Sequence, residues 1–183
     1  MRRVLAGTDV LLQNLTDFPA SPEVVEDGVT FAENAAKKAV QVAQFTGLLA
    51  LADDSGLVVD CLGGAPGIWS ARYAGADATD ADNLHKLLQT VRGFPLAERT
   101  ARFECVLALA RPDGWIRYFQ GRVSGHIVDQ PRGVNGFGYD PVFLPAGSTR
   151  TFAEMSGGEK DAISHRGRAL AAFSEALRAG VIR

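Results

Sequence analysis

Leu48-Leu49-Ala50-Leu51-Ala52-Asp53-Asp54-Ser55-Gly56-Leu57-Val58-Val59-Asp60-Cys61-Leu62 is the stretch whose reading decides the fold. Leu48–Ala52 and Leu57–Leu62 are apolar runs of strand length, so two buried strands are expected with Asp54-Ser55-Gly56 between them. Asp-Ser-Gly is ordinary turn chemistry. A second reading fits as well: carboxylates placed where a hydrophobic run leaves the core form a rigid, shielded place for a metal or an activated water. Side chains alternate along a strand, so Asp53 and Asp54 point to opposite faces and one of them serves such a site. On these residues alone both readings stay open.

Upstream, Val10–Leu15 is a short strand candidate, and Asp17–Asp27 reads as a loop with Pro19 and Pro22. Thr30 opens a helix in which Phe31, Ala35, Ala39 and Val42 recur at helical spacing, with Gly47 as the stop. Downstream, Gly63, Gly64, Pro66 and Gly67 break the chain. Thr79 caps a helix to about Val91. Arg102–Ala110 and Trp115–Val123 read as paired strands across the turn Arg111-Pro112-Asp113-Gly114. A glycine-rich loop, Gly133–Tyr139, leads into Pro141–Leu144. A last helix runs from about Ser164 to Arg178, with Leu170, Phe173 and Leu177 inward. Helices mixed with hairpins and crossovers give an α/β protein with a mixed sheet.

The 183 residues suit one compact domain, or one domain with two lobes, and 46% hydrophobic content supplies its core. A net charge of −2 argues against a broad basic face for nucleic-acid polymers. Cys61 and Cys105 sit in apolar runs and read as buried thiols in a reducing compartment, without zinc spacing. The start of the chain is too short for a signal peptide and nothing approaches a membrane span. The expected location is the cytoplasm.

Glu33 is the second acid of interest. Thr30-x-x-Glu33 is a capping box, in which the carboxylate bonds the Thr30 N–H, and Glu33 and Lys37 are spaced to pair on the helix surface. Glu33 also suits Mg²⁺, which prefers carboxylates, water and substrate phosphates. In Asn135-Gly136-Phe137-Gly138-Tyr139-Asp140-Pro141, glycines permit close approach to a ligand and an exposed ring can stack on a base; a tight bend with packed aromatics is the plainer reading. Lys160, His165 and Arg166 form the clearest cationic cluster. Cations in the first turn of the last helix oppose its macrodipole, which a bound anion would reconcile; a solvated helix end is the alternative. His85 and His126 have no companion at ligand spacing and read as structural.

Taken together, five segments resemble the XTP/dITP diphosphatase family, the inosine triphosphate pyrophosphatases. They are Gly28-Val29-Thr30-Phe31-Ala32-Glu33-Asn34-Ala35; Ala52-Asp53-Asp54-Ser55-Gly56-Leu57; Gly63-Gly64-Ala65-Pro66-Gly67-Ile68-Trp69-Ser70-Ala71-Arg72-Tyr73; Gly136-Phe137-Gly138-Tyr139-Asp140-Pro141; and Ser164-His165-Arg166-Gly167. The resemblance implies an elongated, mixed, twisted sheet flanked by helices, with two lobes, a central nucleotide cleft and a homodimer. It implies Mg²⁺-dependent hydrolysis of a purine nucleoside triphosphate (dITP, ITP or XTP) to monophosphate and pyrophosphate. By motif, Asp54 is the implied general base and metal ligand, with Glu33 assisting at the metal. Ser55, Phe137, Gly138, Tyr139, Asp140, Lys160, His165 and Arg166 are the implied nucleotide contacts: Phe137 stacks on the base, and Lys160 and Arg166 meet phosphate or the base's carbonyl edge.

The family's opening strand and its Thr/Ser-x-Asn-x-x-Lys phosphate loop have no match here. Met1-Arg2-Arg3-Val4-Leu5 resembles the closing turn of the helix that follows that loop. The expectation is therefore a 1–183 single domain truncated at its N-terminus, through a start placed too late. Loss of a strand leaves unpaired backbone and an open edge. Loss of a phosphate-clamping lysine weakens transition-state stabilisation. The expected consequences are low solubility and reduced turnover, and the alternative function is nucleotide binding with impaired catalysis.

Overall fold

The structure, a computed structural model, describes residues 10–182; the reading of Met1–Leu5 as a closing helical turn lies outside the described residues. Helix α1 spans Phe31–Thr46. It starts where expected because the Thr30 hydroxyl accepts the Glu33 N–H, and it stops at Gly47, whose φ of 71° is the left-handed conformation that ends helices. Its buried face is Phe31, Asn34, Ala35, Ala39 and Ala43, and the three alanines are small enough to let the helix lie close to its neighbours.

Strand β1 runs unbroken over Ala50–Val59, so the two-strand reading of this stretch is corrected: Asp54-Ser55-Gly56 is strand, not turn. Gly56 is not among the glycines with positive φ, so its backbone does not use the left-handed conformation that glycine makes available to a turn. The apolar run beyond it also stops early. Asp60–Leu62 forms a 3₁₀ turn closed by Gly63 in the left-handed region. Val10–Leu15 is corrected too. It makes no strand; the Asn14 N–H donates to Asp17 Oδ2 at 2.9 Å and closes a 3₁₀ turn over Leu15–Asp17 instead.

Helix α2 (Asp80–Val91) begins with Thr79 and Asp82 in a reciprocal capping box. The expected hairpin is β2 (Thr100–Ala110) and β3 (Ile116–Ile127), and β4 is the short strand Phe143–Pro145. The sheet order is β1-β2-β3-β4. Strands β3 and β4 are antiparallel in the register Gly125↔Pro145, His126↔Leu144 and Ile127↔Phe143. The end of β1 lies beside the start of β2, since Asp60 accepts from Thr100 Oγ1 (2.6 Å) and Arg102 Nη1 (2.7 Å); that pair is antiparallel as well. Helix α3 (Gly157–Ile163), which the sequence reading did not separate, precedes α4 (His165–Arg178). The result is a mixed α/β protein whose sheet is flanked by helices.

Two compact units share the chain. Unit 1 comprises the chain up to Asp54, Cys105–Gly121 and everything from Arg168 onward; unit 2 comprises Ser55–Glu104 and Arg122–Gly167. Unit 1 has its own core, in which Phe119 and Phe173 meet edge to face at 5.4 Å beside Cys105, Leu107 and Leu109. It also holds a cavity of about 920 Å³ walled by leucines (Leu11, Leu12, Leu49, Leu51 and Leu109), with Glu26 and Lys38 in the lining. Unit 2 has an aromatic core. Phe103, Phe143 and Phe152 pack with centroids 4.7–6.0 Å apart, flanked by Leu57, Val59 and Leu87.

Candidate active site

In unit 1, Asp54 closes the first of three chain segments and stands in β1 with its side chain 13% exposed. Lys38, one residue beyond the lysine the i,i+4 rule singled out, faces it. Its Nζ lies 3.7 Å from Asp54 Oδ1 and donates to Glu26 Oε2 at 2.8 Å. At 3.7 Å the attraction to Asp54 is Coulombic rather than a hydrogen bond. Sequence reasoning missed Glu26 and Lys38. Glu26 lies in an aperiodic acidic loop, and Lys38 sits beside the more conspicuous Lys37. That residue pairs with Asp27, not with Glu33 as its spacing suggested. Asp27 is held below its ordinary carboxylate range chiefly by that hydrogen bond from Lys37.

The Glu33 carboxylate accepts the Val29 N–H at 2.8 Å, one residue before the expected Thr30, so its observed contact is the helix start. Among the described residues no three His, Cys, Asp or Glu side chains gather into a metal cage. Asp54 and Glu26, the acids facing Lys38, are hard oxygen donors, the kind a divalent cation takes singly or in pairs beside phosphate oxygens and water.

Unit 2 gathers most of the other expected residues. The loop before β4 is organised by Asp140, whose side chain is 3% exposed. Asp140 Oδ2 accepts the Phe137 N–H at 3.0 Å and pairs with the Lys160 ammonium. Gly136 is required beside it: φ is +77° and a Cβ would overlap the Asp140 carboxylate. The Phe137 ring is consequently displayed, 61% exposed, with Lys160 Nζ at 4.5 Å and Arg166 Cζ at 5.9 Å from its centroid. Both are cation–π distances. Arg166 Nη2 also donates to Ser55 Oγ at 3.1 Å, joining the first turn of α4 to β1.

Gly138, Tyr139 and His165 are placed differently. The Gly138 N–H donates to Asp80 Oδ2 at 2.7 Å. Tyr139 is buried, and its hydroxyl donates to the Ser70 carbonyl at 2.8 Å; burial pushes the phenol above its ordinary range. His165 is also buried, stacked on Phe103 at 4.7 Å with 10° between the rings. Both therefore brace the loop and the helix start from inside the core. Gly167 lets α3 and α4 meet tightly, since a Cβ there would overlap the Asp161 carbonyl oxygen. Ser70 is a further support: its Oγ accepts the Leu57 N–H at 2.9 Å and donates to the Gly67 carbonyl at 2.6 Å. Among the described residues no helix is long and apolar enough to cross a membrane.

Comparison with known proteins places this geometry. The model of the Ham1 family matches residues 1–176. A dITP/XTP pyrophosphatase of Geobacter sulfurreducens is 52% identical over 174 residues, covering 95% of this chain and 87% of that protein. The solved structure of a HAM1 protein from Coxiella burnetii superposes with a TM-score of 0.92 at 43% identity, covering 97% of this chain and 91% of that one. The crystal structure of a nucleoside-triphosphatase, dITP/XTP pyrophosphatase, from Mycobacterium abscessus gives 0.80 at 47% identity, covering 94% and 89%.

Proposed function

We propose a division of labour among the residues above from one premise: the chain belongs to the Ham1 family and is a nucleoside triphosphate pyrophosphohydrolase acting on aberrant purine nucleotides such as dITP and XTP. In the reaction, water oxygen bonds to the α-phosphorus, the bond from that phosphorus to the α,β-bridging oxygen breaks, and monophosphate and pyrophosphate leave. Asp54 takes the proton of the attacking water. What supports this role is its position in a strand, 13% exposed, with the Lys38 ammonium 3.7 Å from its Oδ1. Lys38 holds that carboxylate in place and is itself held by Glu26.

Asp54 would also hold the divalent cation, which we take to be Mg²⁺; it would supply positive charge to the triphosphate oxygens. Glu33 is the expected second acid, but its carboxylate is engaged with Val29. Glu26, linked to Asp54 through Lys38, is better placed.

The base stacks on Phe137. Ser55, Gly138 and the cations Lys160 and Arg166 contact the nucleotide, and Tyr139, Asp140 and His165 fix those contacts from within. Exposure of the ring, with two cations 4.5 and 5.9 Å from its centroid, is the observation that carries this assignment. Hypoxanthine and xanthine present carbonyl oxygens that such cations can reach. A homodimer in the cytoplasm completes the reading; sedimentation at twice 19.5 kDa checks the first part.

The experiment is product analysis with dITP and Mg²⁺. Equal amounts of dIMP and pyrophosphate are expected, with dTTP turned over far more slowly. Release of orthophosphate and dIDP would place the cut at the wrong bond and overturn the reading.

A further inference from the structure

We infer that Asp80 is a positioning residue for base recognition, acting through the Phe137 loop; the inference rests on the base-stacking role proposed above. Asp80 is the first residue of α2, where an acid would ordinarily be explained by the helix end. That need is met by others. The Thr79 hydroxyl accepts the Asp82 N–H, and Asp82 Oδ2 accepts from both the Thr79 N–H (2.9 Å) and its hydroxyl (2.6 Å). Asp80 reaches instead across 58 residues of sequence and takes the Gly138 N–H at 2.7 Å.

The consequence is a loop held at two successive peptide groups by two carboxylates. Asp140 takes the Phe137 N–H from inside and Asp80 takes the Gly138 N–H from outside. Gly138 has φ of +58° and meets nothing within 4 Å of a built Cβ, so packing alone does not hold it. The ring presented to the base hangs between these two anchors. With the outer one removed, Phe137 keeps its chemistry but samples more orientations, and binding to the base weakens before the hydrolytic step is touched.

The test measures kcat and KM for dITP, with Tm, in the wild type, Asp80→Ala, Asp80→Asn, Phe137→Ala and the Asp80→Ala/Phe137→Ala double variant. Asp80→Ala should raise KM about ten-fold with kcat within about two-fold, and with Tm close to wild type. Asp80→Asn, whose amide oxygen still accepts, should restore most of KM. The double variant should be no worse than Phe137→Ala alone, because Asp80 acts only through that ring. If Phe137→Ala raises KM while Asp80→Ala does not, or if the two effects add in full, the positioning role is wrong and base stacking survives. If Phe137→Ala leaves KM unchanged, both fall.

Discussion

Asp54 and Asp140 are both carboxylates facing a lysine, and the two regions hold them in opposite ways. In unit 1, Lys38 stands 3.7 Å from Asp54 and donates a hydrogen bond to Glu26. In the loop of unit 2, Lys160 contacts Asp140 directly, and the same carboxylate oxygen also takes a backbone N–H. The first arrangement sets a positive charge beside the acid at a distance. The second consumes the acid in building a loop. The difference teaches that a lysine neighbour does not by itself mark a working carboxylate; Asp140 shows that such a pair can serve to build a loop.

The largest effect expected from breaking this contrast is on stability, in unit 2. Asp140→Ala leaves the part-buried Lys160 ammonium and Phe137 N–H without their acceptor, at a cost of roughly 1–3 kcal/mol. Urea denaturation should show the loss, whereas the equivalent change at Asp54 should cost far less. Next comes Lys38→Met, which removes the potential at Asp54 while keeping the stem's packing. We expect kcat to fall about 10–100-fold, roughly 1.4–2.7 kcal/mol of barrier, with Tm little changed and Lys38→Arg recovering part of the rate. A Tm collapse in Lys38→Met would mean this pair is as structural as the other.

The smallest effect concerns a third carboxylate. Glu159 caps α3 just before Lys160, and its carboxyl is lowered from 4.5 to about 2, first by the Arg150 hydrogen bond and then by the Ser156 backbone N–H. A depressed folded pKa contributes stability that is complete above the unfolded value and lost as pH falls through the folded one. The Tm difference between wild type and Glu159→Gln should therefore be constant above about pH 4.5 and close as pH falls toward 2.

The legible parts of the sequence were those governed by local rules. Thr30 and Gly47 bound α1, Thr79 opens α2, and Arg111–Gly114 turns the hairpin, because caps and turns act within four residues. Strand β1 was split in the reading because Asp53, Asp54, Ser55 and Gly56 look like a turn. The strand carries them because it ends the sheet order among the described residues, and such a strand tolerates polar side chains that a central strand would not. Of the proposed site, Asp54, Phe137, Lys160 and Arg166 were named through motif. Lys38 and Asp80 were not. Lys38 matters through a strand that follows its helix, and Asp80 through a loop 58 residues away. Neither pairing leaves a periodic trace in the sequence.

The contrast between the two carboxylates is tested most directly by Asp54→Asn, assayed for dITP turnover beside nucleotide binding and Tm in one preparation. Loss of about 10²–10⁴-fold in kcat is predicted, in keeping with removal of a general base, while binding and Tm stay near wild type. Turnover that survives the substitution, or a protein that unfolds with it, would contradict the assignment of Asp54 as the acid that works.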